Sequence, residues 1–168
     1  MVVMQEAFAG HAALARLEAG DGDQLGRFFY SLSPETVYRR FLSPIARPEQ
    51  LGRLHLLDLD GGRREALVAV VDGEIVGVAR YARDLGRPRE AELAIVVADA
   101  WQRQGLGTRL LSALADAARR AGIERFSFVA LPENQAVLRL LRRFAPDTQV
   151  RFGSGVLEGF VPLRAVAA

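Results

Sequence analysis

A short glycine-containing segment in the middle of the chain has the composition of an anion-binding loop. An apolar run that ends at Val97 leads into residues 102–108, which read QRQGLGT, and a helical pattern follows. The first N–H groups of a helix have no internal acceptor, and the aligned peptide dipoles make that end positive. Gly105 and Gly107 have no Cβ, so a ligand can approach the backbone closely, and Arg103 adds a positive charge. The segment therefore predicts an anion site, most naturally for a phosphate or pyrophosphate.

Two well-known phosphate loops do not match this segment. The dinucleotide-binding fingerprint has a third glycine three residues after the second, and Leu110 occupies that position here. The Walker loop needs a lysine before its Ser or Thr, and the sequence contains no lysine. From the spacing alone, a second interpretation stays open, in which Gly105 and Gly107 only make a tight turn and allow close packing of a helix on a strand.

The composition excludes several kinds of chemistry. The sequence has no cysteine, which rules out thiolate nucleophiles, disulfides, iron–sulfur clusters and cysteine-based zinc sites. His11 and His55 are the only histidines, so a histidine-rich metal site is excluded and we expect no metal. All 22 basic residues are arginine, which also excludes a lysine Schiff base. They nearly balance the 20 acidic residues, and a net charge of +2 gives no reason to expect a nucleic-acid partner.

Length and hydropathy predict one domain that does not enter a membrane. A chain of 168 residues suits a single domain, which we expect over residues 12–168 after a loose segment over residues 1–11. No apolar run reaches the ~20 residues that a membrane span requires. The N-terminus does not resemble a secretory signal. We therefore expect a cytoplasmic protein without a membrane partner.

Hydrophobic periodicity predicts the elements that must position the glycine loop. Ser33-Pro34 is typical of a helix start, and Asp72-Gly73 is typical of a tight hairpin turn. The predicted order is a strand over 12–18, helices over 21–32, 34–41 and 48–57, strands over 65–71, 75–82 and 90–98, a helix over 105–121, a strand over 125–131, a helix over 133–144 and a hairpin over 148–163. Three hairpin-linked strands followed by alternating helices and strands indicate an α/β (α+β) fold with a mixed sheet.

The glycine loop and the apolar strand before it resemble the acetyl-CoA pyrophosphate loop of the GNAT N-acetyltransferase superfamily. The pattern in that family is Gln or Arg, two residues, Gly, one residue, and Gly or Ala. Gln102, Gly105 and Gly107 supply it here, and Asn134 falls where the family has an Asn that opens its last helix. The resemblance implies a GNAT-type central sheet, mostly antiparallel, with helices on both faces.

Two further patches resemble a subgroup of this superfamily. Residues 31–41 and 99–102 are similar to the acetyltransferase domain of Pat-type bacterial protein lysine acetyltransferases. The resemblance implies an enzyme that moves an acetyl group from acetyl-CoA to an amine by direct attack. A protein lysine is the first expected acceptor and a small-molecule amine the second. A non-catalytic acyl-CoA-binding module is a further alternative, and the oligomeric state is left open.

The resemblance also implies which residues hold the cofactor. In the family, two parallel strands separate after the strand that precedes the loop, and the pantetheine arm inserts between them. The loop amides then hold the pyrophosphate. The cofactor-binding residues implied in this way are Val96, Val97, Ala98, Arg103, Gln104, Gly105, Leu106, Gly107, Thr108 and Asn134. The arginines of the last helix, Arg139, Arg142 and Arg143, lie either at the 3′-phosphate of CoA or on a solvated helix face.

The catalytic base implied by the resemblance is Glu92. An ammonium group has no lone pair for attack, so a base must remove its proton first. Glu92 matches the strand-borne catalytic Glu of the family, and strand alternation puts it on the same face as Ala94 and Val96. These apolar neighbours predict a desolvated carboxyl. Glu90 is the second candidate, and the alternative for both is a solvated strand face.

Leu141 departs from the family pattern. Many members have a Tyr seven residues after the Asn, which protonates the departing CoA thiolate. Leu141 occupies that position here and cannot donate a proton. The Pat-type group also tends to lack this Tyr, and a thiol pKa near 8.5 makes unaided departure of the thiolate feasible.

Overall fold

The computed structural model of the protein describes residues 3–4, 12–42 and 57–164. The described strands are β1 (Val3–Met4), β2 (Ala13–Arg16), β3 (Arg64–Val71), β4 (Glu74–Arg83), β5 (Glu90–Val97), β6 (Arg125–Ala130), β7 (Gln149–Gly153) and β8 (Val156–Pro162). The described helices are α1 (Gly22–Ser31), α2 (Pro34–Phe41), α3 (Leu106–Arg120) and α4 (Gln135–Phe144), with short 3-10 turns at Ala19–Asp21 and Asp99–Trp101.

The strands form one sheet in the order β1-β2-β3-β4-β5-β6-β8-β7. Neighbouring strands run antiparallel except β5 and β6, which are parallel. Helix α3 connects β5 to β6, because a parallel pair of strands requires a crossover connection, and α4 follows β6. The predicted mixed, mostly antiparallel sheet is confirmed.

Local signals account for several element boundaries. Asp72 and Gly73 both have positive φ angles, 49° and 81°, as the tight turn between β3 and β4 requires. Ser33 caps α2, because its Oγ accepts a hydrogen bond from the Thr36 N–H at 3.2 Å. Asp21 precedes α1 as predicted but does not cap it, since its carboxylate accepts instead from the Glu18 N–H at 2.8 Å.

Helices cover both faces of the sheet, and each face has its own apolar core. Helices α3 and α4 pack with β3–β6 around buried residues such as Leu110 and Phe126. Helix α1 packs on the other face with Phe28 and Val68. Helix α3 approaches the sheet at Gly77, where an added Cβ would lie 2.9 Å from Leu110 Cδ1. The helix that carries the glycine loop therefore sits directly on β4.

Two predictions concern residues that the structure describes only in part. The predicted helix over 48–57 lies outside the described residues apart from Leu57. Within the expected loose segment, Val3–Met4 pair with β2. The division into residues 1–11 and one domain over residues 12–168 stays a prediction. His11 and His55 also lie outside the described residues.

Candidate active site

The sheet divides between its two parallel strands. Strand β4 stays paired with β5 up to Val97, and β8 stays paired with β6 up to Ala130. Strands β5 and β6 pair with each other only at their first residues, Glu90 with Arg125, Ala91 with Phe126 and Glu92 with Ser127. The remaining halves of β5 and β6 therefore border a gap in the sheet.

The backbone of Val97 and Ile95 faces this gap. The Ala98 N–H donates to the Val76 carbonyl at 2.9 Å, which directs Ala98 toward β4. Because the backbone polar groups of successive strand residues point to opposite edges, Val96 also faces β4, whereas Ile95 and Val97 face the gap. Of the three expected residues Val96, Val97 and Ala98, only Val97 has its backbone toward the gap, and Ile95 joins it there.

The glycine loop ends in an uncapped helix start. Arg103 and Gly105 have left-handed φ angles of 60° and 81°. Gly105 is the N-cap residue of α3 and has no side chain to cap it. Among the described residues, none accepts a hydrogen bond from the N–H groups of residues 104–108, and the first acceptor of the helix, the Gly105 carbonyl, binds the Arg109 N–H at 3.1 Å. These free donors at a positive helix end fit an anionic group such as a pyrophosphate.

Gly105 and Gly107 are each favoured as glycine for a different structural reason. Gly105 has open space around the position of a Cβ, so its left-handed φ is what requires glycine. Gly107 has an ordinary φ, but an added Cβ would lie 3.3 Å from Leu140 Cδ2 on α4. Close helix packing and free backbone N–H groups thus occur in the same loop.

A hydrogen-bond network ties the loop to α2. Gln102 Nε2 donates to the Val97 carbonyl at 3.0 Å and to Thr36 Oγ1 at 3.4 Å. Thr36 Oγ1 in turn donates to Asp99 Oδ1 at 2.8 Å, and the N–H and hydroxyl of Ser33 donate to the same carboxylate at 3.0 and 2.8 Å. The network thus joins the end of β5, the glycine loop and the N-terminus of α2.

The Asp99 carboxylate is stabilised by this network. Its partial burial raises the pKa, but hydrogen bonds from the Ser33 N–H, the Thr36 hydroxyl and the Ser33 hydroxyl together lower the pKa below its ordinary value. A carboxylate at the first turn of α2 is also favourable for the helix dipole. Sequence reasoning noticed this residue only as part of a family-like patch, because its partners are more than sixty positions away along the chain.

Two adjoining cavities open at the gap in the sheet. The larger, about 470 Å³, contains the glycine loop, and we call it the loop cavity. The smaller, about 380 Å³, contains Glu92, and we call it the Glu92 cavity. Both are lined by Arg39, Arg40, Ile95, Asn134 and Val137. The start of α3 and the Glu92 side chain therefore lie in one continuous cleft.

The structure gathers most of the predicted cofactor residues at the loop cavity. The predicted residues that line it are Val96, Val97, Arg103, Gly105, Gly107, Thr108 and Asn134. Gln104 and Leu106 belong to the same loop without lining the cavity, Leu106 being buried, and Ala98 lies outside it. Arg139 and Arg143 line the cavity from α4, but Arg142 does not.

Glu92 lies in the smaller cavity and is exposed. The exposure of Glu92 contradicts the expected desolvation of its carboxyl group. Besides its apolar neighbours, Glu92 has two arginines nearby. Arg80 lies diagonally across the β4–β5 pair, since Glu92 is opposite Ala82 and Arg80 is opposite Ala94. Arg40 approaches from α2, and the Glu92 charge interacts with both guanidinium groups.

Burial and neighbouring charges lower the pKa of both arginines. Burial lowers the pKa of Arg40 to about 10, the positive charge of Arg80 adds to this effect, and Glu92 opposes it. Burial is also the largest cause that lowers the pKa of Arg80, and the positive charge of Arg64 is the second largest. The sequence pattern did not single out Arg80 as a site residue, although an arginine inside a run of apolar β residues indicates a partner or a cavity.

Glu90 has a structural role instead of the catalytic one considered for it. Its carboxylate is buried and forms ion pairs with Arg125 at 2.8 Å and Arg87 at 3.4 Å. Arg125 belongs to β6, so the Glu90–Arg125 ion pair links the two parallel strands at the end where they are hydrogen-bonded. Glu90 does not line either cavity.

Asn134 lies where the two cavities meet. It caps α4, as predicted, with its Oδ1 accepting from the Val137 N–H at 3.3 Å. Leu141 is buried and lines the Glu92 cavity. The described residues that line this cavity include no hydroxyl group, so no proton donor replaces the missing Tyr there.

The described residues offer neither a metal-binding cluster nor a membrane-spanning helix. No group of three or more His, Asp or Glu side chains in the described ranges could hold a metal ion. No helix among the described residues is both long enough and apolar enough to span a bilayer.

Comparison with known proteins decides the family. The model of the acetyltransferase (GNAT) family matches residues 29–145. The chain belongs to the GNAT acetyltransferase family. It is thus an acetyltransferase that acts with acetyl-CoA, and a structural neighbour of the same fold, yncA of Salmonella typhimurium, contains acetyl-CoA as its cofactor. That neighbour is 21% identical, covers 95% of this chain and 98% of its own, and has a TM-score of 0.68.

Individual relatives confirm the resemblance to the Pat-type group. The GNAT domain of PAT from S. lividans has 29% identity and a TM-score of 0.83 over 91% of both chains. The acetyltransferase Pat of Mycolicibacterium smegmatis is 31% identical over 113 residues, which are 66% of this chain and 34% of that protein. The chain thus spans about a third of that relative. An acetyltransferase of Pseudomonas aeruginosa is 34% identical over 131 residues, or 76% of this chain and 70% of its own length.

Proposed function

We propose that this acetyltransferase transfers the acetyl group of acetyl-CoA to a primary amine, with a protein lysine side chain as acceptor. The similarity to two Pat proteins supports the lysine acceptor. The observation that carries the mechanism is the continuous cleft, which has the uncapped start of α3 at one end and the Glu92 carboxylate at the other.

Residues at the loop cavity bind the donor. The free N–H groups of residues 104–108 hold the pyrophosphate, and Arg103 adds positive charge beside them. The backbone of Ile95 and the N–H of Val97 have no partner among the described strands, so they offer hydrogen bonds to the amides of the pantetheine arm, as an added strand would. Asn134, at the junction of the cavities, contacts the end of the arm.

Glu92 is the general base of the proposal. A lysine ammonium has an ordinary pKa near 10.4, so it must lose a proton before it can attack. The positive charges of Arg40 and Arg80 disfavour an ammonium in the cavity, and Glu92 accepts the proton directly or through a water molecule. Acetyl-CoA supplies the thioester, whose C–S bond breaks as the C–N bond to the acceptor forms. The CoA thiolate leaves without a protein acid at Leu141.

The experiment is an acceptor screen with acetyl-CoA that includes a mixture of lysine-containing proteins and a set of small amines. We expect release of CoA together with acetylated lysine, and we expect Glu92→Gln to reduce kcat at least ~100-fold. Calorimetry should give the variant an unchanged affinity for acetyl-CoA. Glu124→Gln, an exposed carboxylate outside both cavities, is the matched control.

Two outcomes would contradict this proposal. Binding of acetyl-CoA without turnover of any amine would favour the non-catalytic acyl-CoA-binding module. Turnover restricted to small amines would retain the acetyltransferase chemistry but remove lysine as the acceptor.

A further inference from the structure

We propose that the Glu92 cavity selects acceptors that carry an anionic group beside the reacting amine, and that Arg40 and Arg80 bind this group. The inference rests on the proposed function, because it concerns the acceptor of that reaction. The anionic group has two possible sources, an acidic side chain next to a lysine in a protein and the carboxylate of a small amino acid.

The charges that line the cavity do not balance. The charged residues of its lining are Arg39, Arg40, Arg80 and Glu92. Arg39 forms an ion pair with Glu35 one turn earlier on α2, so its charge is compensated outside the cavity. Two guanidinium groups therefore face a single carboxylate.

Neither of these two guanidinium groups has an ion-pair partner within 4 Å in the described part of the chain. Arg40 instead lies over the ring of Phe41, with its guanidinium carbon 4.6 Å from the ring centre. Arg80 lies beside Arg64, another arginine on the same face, which pairs with Asp58 at 3.7 Å. Burial is the main cause that lowers the pKa of both groups, and a like charge adds to it, that of Arg80 for Arg40 and that of Arg64 for Arg80. Glu92 opposes the decrease for both, and Asp58 does so for Arg80. An anion that enters here is therefore stabilised by guanidinium groups that have lost part of their hydration.

The donor does not account for the charge of Arg80, whereas Arg40 lines both cavities. The proposed pyrophosphate position is at the start of α3, in the loop cavity. Arg80 lines only the Glu92 cavity, on the acceptor side of the Asn134 junction. Its guanidinium group is therefore available to the acceptor and not to the phosphates of the donor.

An acceptor amine enters as a cation unless it has already lost a proton. Its charge would be the third positive charge near Glu92, and a neutral or basic acceptor offers nothing to offset it. A carboxylate on the acceptor pairs with a guanidinium group in a planar geometry with two hydrogen bonds. The same pair fixes the position of the amine relative to Glu92.

The test compares matched acceptors that differ only in charge. One arm uses a lysine peptide in three versions, in which the residues that flank the lysine are Glu, Gln or Arg. The other arm uses γ-aminobutyrate and its carboxamide. The two readouts are kcat/KM from CoA release and the calorimetric affinity of each acetylated product in the presence of CoA, which requires no turnover.

We expect the acidic member of at least one arm to exceed its neutral counterpart by about 10-fold in both readouts. Preference in the peptide arm identifies an acidic flanking side chain, and preference in the small-amine arm identifies a carboxylate on the substrate itself. Arg80→Gln and Arg40→Gln should each reduce the acidic-to-neutral ratio toward one. Arg80→Lys should retain part of it, and Arg80→Glu should favour the Arg-flanked peptide.

Arg120→Gln is the control for loss of a positive charge, because Arg120 is exposed at the far end of α3. It should leave the ratio unchanged. Equal affinities for acidic and neutral products, or a preference that survives Arg80→Gln together with Arg40→Gln, would overturn the inference. Absence of turnover in every arm would contradict the proposed function instead, and the product affinities would still decide the inference.

Discussion

Thr36 Oγ1 donates a hydrogen bond to Asp99 Oδ1 at 2.8 Å, which connects the first turn of α2 to the turn that precedes the glycine loop. Thr36 also accepts from Gln102 at 3.4 Å, so one hydroxyl touches both the turn and the loop. Thr36 is buried and also lines the loop cavity. The position of the glycine loop therefore depends on a contact with α2.

Removal of this contact should weaken both stability and donor binding. We expect Thr36→Val, which keeps the shape of the side chain, to lower the free energy of unfolding by about 1–3 kcal/mol, because the hydrogen-bonded chain from Asp99 through Thr36 to Gln102 loses its central hydroxyl. The affinity for acetyl-CoA should fall as the loop loses a support. Urea unfolding and calorimetry measure the two effects.

Asp116→Asn provides the control for that experiment. Asp116 is an exposed carboxylate on α3 whose ion pair with Arg119 spans 2.6 Å, and surface pairs of this kind contribute less than about 1 kcal/mol. A Thr36→Val variant as stable as this control would show that the network does not hold the loop.

The Asp99 carboxylate should make stability depend on pH in the acid range. Its folded-state pKa lies below the unfolded value, so its contribution is present above the ordinary aspartate pKa and is lost as pH falls through the folded pKa. We expect wild type to be more stable than Asp99→Asn near neutral pH, and the difference should vanish in strong acid.

The comparison between these two proteins isolates Asp99. Asp60 also has a lowered pKa, chiefly because the Arg64 N–H donates to it, and it titrates in the same range in both proteins. A stability difference between wild type and Asp99→Asn that stayed constant from neutral to acid pH would contradict the assignment.

Gly105 should be required for donor binding beyond its effect on stability. Ala at φ 81° is strained, and we expect Gly105→Ala to lower the free energy of unfolding by about 1–2 kcal/mol. Gly122, after the end of α3, has nearly the same φ, 79°, and equally open surroundings. Gly122→Ala should therefore lose similar stability and retain its affinity for acetyl-CoA, which Gly105→Ala should lose. Equal calorimetric affinities for the two variants would argue against an anion site at the start of α3.

Much of the fold was accessible from local signals. The Asp72-Gly73 turn, the Ser33 cap and the alternating and helical apolar patterns each involve residues that are close in sequence, so their geometry is fixed within a few positions. The same holds for the glycine loop, because the free N–H groups of a helix start are a property of the backbone itself.

The environment of the carboxylates could not be obtained in this way. Strand alternation put Glu90 and Glu92 on one face, yet the structure gives them opposite surroundings. Glu90 is buried against Arg125 of the neighbouring parallel strand, whereas Glu92 lies exposed where that strand has begun to separate. The difference depends on where the β5–β6 pairing ends, which no local pattern specifies.

Local sequence signals specify the described helices, the hairpins and the free N–H groups at the start of α3, because backbone propensity and capping act over a few residues. Tertiary structure alone decided the charge around Glu92 and the anchoring of the loop. Arg40 and Arg80 meet Glu92 from two different elements, and Asp99 meets Thr36 across more than sixty residues of chain. Electrostatic and hydrogen-bond energies depend on distances in space, and those distances exist only once the sheet and helices have packed.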